Sequence, residues 1–275
     1  MSTIILYIYN EPSYHYEIIE SVIVNYNKII NIPIQDSIQI YLVISENKSF
    51  ESYILTKFPT IRFEQPADYD YYINCTIYDI DYDTIIENST KSFYIGHTLT
   101  ERLDKLSNVY FLTPLAKRYI NANILPLSDV KIKTEMPVYI IQGKLHRRDL
   151  KLLHKILSVE YKYKFKIVLL TRSKMMRELI RYKEKIELKH DLNYIDFHKE
   201  FQSAYCIIPL ITKITHPHYY TTKLTSSINY ASGYNLTCLI DKDLQDIYKL
   251  NKAEVYNDIS DIIPAFCKTL YQFYI

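Results

Sequence analysis

A stretch without carboxylates surrounds Lys223 in the second half of the chain. No Asp or Glu occurs between Phe201 and Ile240, and Lys223 is followed by a hydroxyl-rich run that includes Ser226 and Ser227. An ammonium group, hydroxyls and the free N–H groups of a helix start together suit an anion such as a diphosphate. The same hydroxyls could also do no more than cap a helix.

A second candidate for anion binding follows the apolar run VYIIQGK. Gly143 allows a tight turn there, and the segment after it begins a helix with Arg147 and Arg148. A helix N-terminus and two guanidinium groups favour phosphate oxygens. An ordinary strand, turn and helix with solvated arginines explains the same residues, so both interpretations stay open at this point.

Two histidines follow strand-like runs in the first half of the chain. His15 lies in YIYNEPSYHYEII with Glu17 two residues later, and His97 follows KSFYIG. A histidine with a supporting carboxylate can act as a general base near neutral pH. His15 is therefore the first candidate for a general base and His97 the second, although a lone histidine is more often structural.

Strand-like and helix-like segments alternate along the chain, and this alternation must position the candidate residues. Runs such as TIILYIY and KIVLLT predict buried strands, and HYEIIESVIVNYNKII has apolar residues at helical spacing. SKMMRELIRYKEK predicts a helix, and KLTSSINYASGY predicts another that Lys223 opens and that Gly233 ends in a left-handed conformation. The pattern indicates mostly parallel sheets with helices on both faces.

A proline-containing segment at residues 122–137 interrupts the alternation and predicts a linker. It divides the chain into domains 1–125 and 126–275, with a last helix that could pack back on the first domain. Residues 1–110 hold 7 Lys and Arg against 15 Asp and Glu, whereas residues 144–189 hold 15 against 5. The fold class is therefore α/β, with two Rossmann-like domains that face each other across a ligand-binding cleft.

The segments GKLHRRDLKLL, KIVLLTRS, DFHKEFQSAYCIIPL, TTKLTSSINYA and LTCLID resemble the donor-binding half of glycosyltransferases with the GT-B fold. The first half resembles the acceptor domain of that family more loosely, through HYEIIESVI and YIGHTLTERL. The resemblance implies a donor that is a UDP- or GDP-linked sugar and an acceptor that is a glycan or another small molecule. It implies no cofactor and no metal.

The resemblance also implies roles for individual residues. Arg147 and Lys223 would bind the donor diphosphate, and Ser226 and Ser227 would contact phosphate or ribose. The chain lacks the two glutamates, seven residues apart, that many retaining members have around this helix. A relative that binds nucleotide sugars without turnover is therefore the alternative function. The residues implied to lie near the nucleotide or the donor sugar are Gly143, Tyr194, Tyr219, Tyr220, Thr221 and Thr222.

Composition argues against several other classes of protein. No apolar run reaches the roughly 18 residues that span a bilayer. The N-terminal segment lacks the basic start and cleavage site of a signal peptide. The four cysteines are scattered without a CxxC pair, which indicates free thiols in a reducing compartment. We expect a soluble, cytoplasmic protein without a transmembrane segment.

Two further patterns could bind metal or nucleic acid. YDIDYD has carboxylates at alternate positions, but we interpret it as a solvated turn, and His216 and His218 lack further ligands at suitable spacing. The basic residues of 144–189 could contact phosphates, although their spread over helix faces argues for a solvated surface. We expect neither a metal nor a nucleic-acid partner.

Overall fold

The computed structural model describes residues 3–12, 15–32, 37–86 and 89–275, and the chain divides into two compact units. Unit 1 contains Met1–Ile124 together with Thr221–Leu224, and unit 2 contains Leu125–Tyr220 together with Thr225–Ile275. The main division lies within the predicted linker region. Residues Thr221–Leu224, which the sequence placed in the second domain, belong to the first unit instead.

Unit 1 is a parallel sheet with helices between its strands. Its described elements are β1 (Ile4–Asn10), α1 (Tyr16–Ile30), β2 (Ile38–Ile44), α2 (Lys48–Lys57), β3 (Tyr71–Ile77), β4 (Ser92–Gly96), α3 (Glu101–Lys105) and β5 (Val109–Phe111). The strand order is β2-β1-β3-β4-β5, and every pair is parallel. The run TIRFEQ, predicted as a strand, forms no named strand within the described ranges and makes an isolated bridge between Tyr41 and Arg62.

Helix α1 shows why the first predicted helix forms. Its apolar residues recur at helical spacing, and Ile18, Ile19 and Val22 are buried against the sheet. The helix ends at Asn31, which has a left-handed conformation with φ 52°. Asparagine tolerates that conformation better than most residues do. The spacing and the terminal asparagine together account for the observed length.

Unit 2 is a second parallel α/β unit. Its described elements are β6 (Val138–Gln142), α4 (Leu150–Leu157), β7 (Lys166–Thr171), β8 (Ile186–His190), α5 (Tyr194–Gln202), β9 (Cys206–Ile207), α6 (Ser226–Gly233), β10 (Thr237–Asp241), α7 (Lys242–Tyr248), β11 (Ala253–Tyr256) and α8 (Ile262–Tyr274). The strand order is β11-β10-β9-β6-β7-β8, with parallel pairing throughout.

The last helix belongs to unit 2. Helix α8 contacts β10, β11 and α4, and Phe266 at its centre is fully buried in the same apolar cluster as Tyr139 and Leu152. Its apolar face covers one side of the sheet. The sequence also allowed this helix to return to the first domain, but it lies within unit 2.

Two sequence predictions in unit 2 are wrong in an instructive way. The predicted helix SKMMRELIRYKEK is only a 3-10 turn at Arg177–Tyr182, and it is followed by the unpredicted edge strand β8. The charges of β8 fit an edge strand, because only one side of it pairs. Gly233 is the last residue of α6, and Asn235 takes the left-handed position with φ 51°.

Candidate functional site

The carboxyl edge of the sheet in unit 1 brings several predicted residues together. The strand order reverses between β1 and β3, because β2 lies on one side of β1 and the later strands lie on the other. In open parallel sheets, ligands bind outside the carboxyl ends of the strands at such a switch point. His15 follows β1, Tyr78 follows β3 and His97 follows β4.

The two predicted histidines are neighbours in space. The ring centroids of His15 and His97 are 4.3 Å apart, and the Tyr78 ring lies 5.1 Å from that of His97. His15 Nδ1 lies 3.3 Å from Glu17 Oε1. A histidine held by a carboxylate on one ring nitrogen has the arrangement that general base catalysis requires. The proximity of the two rings, however, was not predicted.

The loop that leads to His15 is anchored at its start by a buried amide. Asn10 is fully buried, and the Thr76 hydroxyl donates to its Oδ1 at 2.8 Å. Its Nδ2 donates to the carbonyl oxygen of Pro12 at 2.8 Å. His15 itself has a left-handed conformation with φ 67°, which is uncommon for a residue with a side chain. These contacts determine where the loop leaves the sheet.

Lys223 lies in unit 1, near the histidines. The Leu99 N–H donates to the carbonyl oxygen of Thr222 at 2.9 Å, which ties this segment to the loop after His97. Lys223 was predicted to open α6, but that helix begins at Ser226. Burial lowers the pKa of the Lys223 ammonium group. The predicted residues Thr221 and Thr222 belong to the same short segment of unit 1.

The surroundings of His97 make it a poor proton acceptor. Burial, followed by the positive charges of His15 and Lys223, lowers the pKa of His97 from 6.5 to about 3. A histidine with such a pKa is neutral at physiological pH and is a poor base. His15 has a carboxylate neighbour instead. The geometry therefore favours His15 over His97 as the proton acceptor.

In unit 2, the switch point lies between β6 and β9. Gly143 directly follows β6 with φ 101°, a conformation that favours glycine. A Cβ atom there would lie 2.5 Å from Nη2 of Arg148. Arg148 donates from Nε and Nη2 to the carbonyl oxygen of Gln142, at 3.0 and 2.7 Å. Arg148 thus holds the turn, and Arg147 beside it is exposed.

The start of α6 meets the end of β6. Gln142 Nε2 donates to Ser226 Oγ at 3.0 Å. Thr225 occupies the N-cap position but makes no side-chain cap hydrogen bond. Ser227 is fully buried, so the two predicted serines have different environments. Gln142 was not predicted, although a glutamine that ends an otherwise apolar strand is a visible sequence signal.

The remaining predicted residues of unit 2 lie at or near the same edge. Tyr194 is the first residue of α5 after β8, with its ring 4.5 Å from that of His198. Tyr219 stacks on His216 with centroids 5.6 Å apart. Tyr220 is buried, and burial together with the nearby carboxylate of Asp241 raises its pKa. Their roles toward a donor stay predictions.

The acidic turn of YDIDYD has an internal structural role. The Thr100 hydroxyl donates to Asp79 Oδ1 at 2.7 Å, and Asp81 Oδ2 accepts from the Tyr78 N–H at 2.7 Å. Arg102 lies 3.7 Å from Asp83. Within residues 3–12, 15–32, 37–86 and 89–275, no group of three metal-ligating side chains is present. None of the helices in the same ranges combines the length and apolar character needed to cross a bilayer.

Comparison with known proteins finds similarity in structure but not in sequence. No family model and no curated protein sequence matches the chain. A glycosyltransferase involved in avilamycin A biosynthesis superposes with a TM-score of 0.55 at 10% identity, over 98% of this chain and 88% of that chain. A sucrose-phosphate synthase from Thermosynechococcus elongatus superposes with a TM-score of 0.55 at 9% identity, over 98% and 90% of the two chains.

A lipopolysaccharide outer core galactosyltransferase in its apo form is a third structure of this kind. It superposes with a TM-score of 0.53 at 10% identity, over 99% of this chain and 91% of that chain. The three similarities extend over almost the whole chain, and they show that it has the GT-B fold. The predicted fold class, α/β with two Rossmann-like halves, is confirmed. Identity this low shows the fold alone.

Proposed function

We propose that the protein is a glycosyltransferase that moves a sugar from a nucleoside diphosphate to a hydroxyl of a glycan or another small acceptor. The GT-B fold supports glycosyl transfer in general. The observation that carries the proposal is the convergence of His15, Glu17, His97 and Lys223 at the switch point of unit 1. A proton acceptor and a cation together are what transfer to a hydroxyl requires.

His15 would accept the acceptor's proton. With its Nδ1 proton donated to Glu17, the imidazole presents Nε2 as the basic nitrogen, and Glu17 stabilises the imidazolium that forms. The acceptor oxygen then attacks the anomeric carbon, and the bond from that carbon to the diphosphate oxygen breaks. His97 would stay neutral throughout and donate or accept a hydrogen bond. This assignment gives an inverting reaction.

The leaving diphosphate needs positive charge, and the proposal assigns that role to side chains rather than to a metal. Lys223 supplies an ammonium group, and Arg147 an exposed guanidinium group. Ser226 and the start of α6 would add hydrogen bonds at the carboxyl edge of unit 2. Electrostatic stabilisation of the developing charge is usually the largest catalytic term. Transfer should therefore persist when EDTA is present.

Calorimetric titration with UDP and GDP tests the donor site. We expect one of the two nucleotides to bind, and Lys223→Ala to weaken that binding about tenfold or more, because a charge-assisted contact is lost. Lys213→Ala is the matched control, since Lys213 is exposed and pairs with Asp243. Nucleotide binding that is absent, or that responds equally to both variants, would contradict the site.

Turnover is tested separately by release of nucleotide from a panel of UDP- and GDP-linked sugars, with and without glycan acceptors. The proposal predicts acceptor-dependent release that His15→Gln abolishes while nucleotide binding persists. Binding without release from any donor would favour the alternative, a GT-B protein that holds nucleotide sugars without transferring them.

A further inference from the structure

A group of buried polar atoms lies around the first turn of α6. Gln142, Thr225 and Ser227 are 3%, 1% and 0% exposed, and each has one side-chain oxygen without a hydrogen-bond partner among the residues that the structure describes. Buried polar atoms are nearly always paired, so an exception calls for an explanation. The atoms concerned are Gln142 Oε1, Thr225 Oγ1 and Ser227 Oγ, with Asn229 Oδ1 one turn further along the helix.

These atoms lie at the switch point of unit 2. Gln142 is the last residue of β6, which neighbours β9 where the strand order reverses. Its Nε2 donates to Ser226 Oγ at 3.0 Å, which joins the strand end to the first residue of α6. Thr225 and Ser227 flank Ser226 in the chain. A switch point is where a parallel sheet of this kind binds its ligand.

The surroundings of Gln142 hold it in place. Its carbonyl oxygen accepts two hydrogen bonds from Arg148, and the N–H of Gly143 donates to the carbonyl oxygen of Leu170 at 2.9 Å. The amide is also fixed through Ser226. A side chain held in this way loses little conformational freedom when a ligand binds. Gln142 therefore has the rigidity expected of a residue that discriminates between ligands.

The chemistry of the three atoms selects the ligand group. A carboxamide oxygen only accepts hydrogen bonds, and a fully ionised diphosphate has no hydrogen to donate. A hydroxyl group can donate to Gln142 Oε1 and accept from Thr225 or Ser227. No Asp or Glu occurs from Phe201 to Ile240, so α6 and the loop before it offer no carboxylate for that purpose.

We propose that Gln142 accepts a hydrogen bond from a hydroxyl of the nucleotide-sugar donor, with Thr225 and Ser227 completing the contact. Gln142 is then a specificity-determining residue at the start of α6. The proposal rests on the proposed function, because the hydroxyl belongs to the donor. Ribose and the transferred sugar both carry such hydroxyls, and the experiment below separates these two sources.

Gln202 provides a matched control in the same unit. It is 6% exposed, and its amide is fully used: Nε2 donates to the carbonyl oxygens of Ser128 and Val130, and Oε1 accepts from the Ser128 N–H. Methionine has nearly the shape of glutamine without its polar atoms. Gln202→Met removes three hydrogen bonds, whereas Gln142→Met removes one, from Nε2 to Ser226 Oγ, together with an oxygen that has no partner among the described residues. Gln142→Met should therefore destabilise the protein less than Gln202→Met does.

The experiment compares Gln142→Met with Gln202→Met in thermal unfolding and in calorimetric titration with UDP, 2′-deoxy-UDP and UDP-glucose. We expect Gln202→Met to lower the melting temperature without changing affinity. Gln142→Met should lower the melting temperature less than Gln202→Met does, since it loses only the hydrogen bond to Ser226, and it should weaken donor binding about tenfold. If ribose is the partner, 2′-deoxy-UDP binds wild type and Gln142→Met equally. If the sugar is the partner, only UDP-glucose distinguishes the two proteins.

A fall in melting temperature for Gln142→Met as large as that for Gln202→Met would show a structural amide and overturn the inference. So would unchanged affinity of Gln142→Met for both UDP and UDP-glucose. Wild-type protein that binds none of the three ligands, nor their GDP counterparts, contradicts the proposed function itself. That outcome is therefore distinct from a failure of Gln142 alone.

Discussion

The two switch points of the molecule differ in chemical character. In unit 1 the edge of the sheet carries titratable groups, namely His15, Glu17, His97 and Lys223. In unit 2 the corresponding edge carries the amide of Gln142 and the hydroxyls beside Ser226, and its arginine Arg148 is used to hold the turn. In the proposed function the first set moves a proton and neutralises charge, whereas the second recognises hydroxyls.

The difference indicates that two units of similar topology have separate roles in the proposed function, one in proton transfer and the other in donor recognition. Proton transfer needs groups whose pKa the surroundings control, and unit 1 provides two histidines in unlike environments. Recognition needs rigid, neutral hydrogen-bonding groups, which unit 2 provides. If the comparison is right, substitutions at the histidines of unit 1 change mainly turnover, and substitutions in unit 2 change mainly donor affinity.

The largest expected effect is on turnover in His15→Gln. Loss of a general base costs typically about 10²- to 10⁴-fold in rate, while donor binding in unit 2 should stay within about twofold. Nucleotide release at saturating donor and acceptor measures the first effect, and calorimetry the second. His146→Gln is the control, since His146 is exposed in the turn after β6. A loss of donor affinity as large as the loss of rate would show that the two units do not have separate roles.

The two glycines at the strand ends give a paired test of the same idea. In Gly96→Ala the new Cβ would meet the buried ring of Phe111 at 2.3 Å, and in Gly143→Ala it would meet Arg148 at 2.5 Å with φ 101°. Each change should lower the free energy of unfolding by about 1–3 kcal/mol.

Their functional effects should separate when both variants are assayed below their unfolding temperatures. Gly96 precedes His97, so Gly96→Ala should reduce turnover more than donor affinity. Gly143 follows Gln142, so Gly143→Ala should do the reverse. Equal losses of both quantities in both variants would remove the distinction between the units.

A smaller effect is expected on the pH dependence of stability. The pKa of His97 is about 3 in the fold against 6.5 for an unperturbed histidine. Below pH 6.5 the His97 imidazole of the unfolded chain therefore binds a proton, whereas the same imidazole in the folded chain stays neutral down to about pH 3. As the pH is lowered from 6.5 to 3, the free energy of unfolding should fall by on the order of 1 kcal/mol per pH unit. His97→Gln, compared with His146→Gln in urea unfolding at pH 7 and pH 5, should flatten that decline.

The smallest expected effect concerns the coupling between Lys223 and His97. Removing the positive charge in Lys223→Gln should raise the pKa of His97 modestly, because burial is the larger cause of its shift. Titration of the imidazole resonances by NMR measures this change, with Lys213→Gln as the control. An unchanged His97 titration would show that Lys223 does not act on the histidine.

Most of the secondary structure was predictable because it depends on local pattern. The apolar runs of β1 and β7 and the helical spacing of α1 predicted those elements directly. The charged edge strand β8 was missed although its sequence IELKH alternates apolar and polar residues, as a half-buried strand does, because the alternation lasts for only five residues. The left-handed stop after α6 was placed at Gly233 instead of Asn235, since glycine is the commoner residue there.

The sequence by itself determined the α/β class, the division into two halves and the candidate residues at the strand ends, since periodicity and strand-end position are local properties. Only the tertiary structure brought His15 beside His97, moved Lys223 into unit 1 and left Gln142 with an oxygen that has no partner in the described part of the chain. Those relations depend on which strands become neighbours in the sheets and on which side chains are buried away from water. Strand order and burial are set by the packing of segments distant in the chain, which no local pattern encodes.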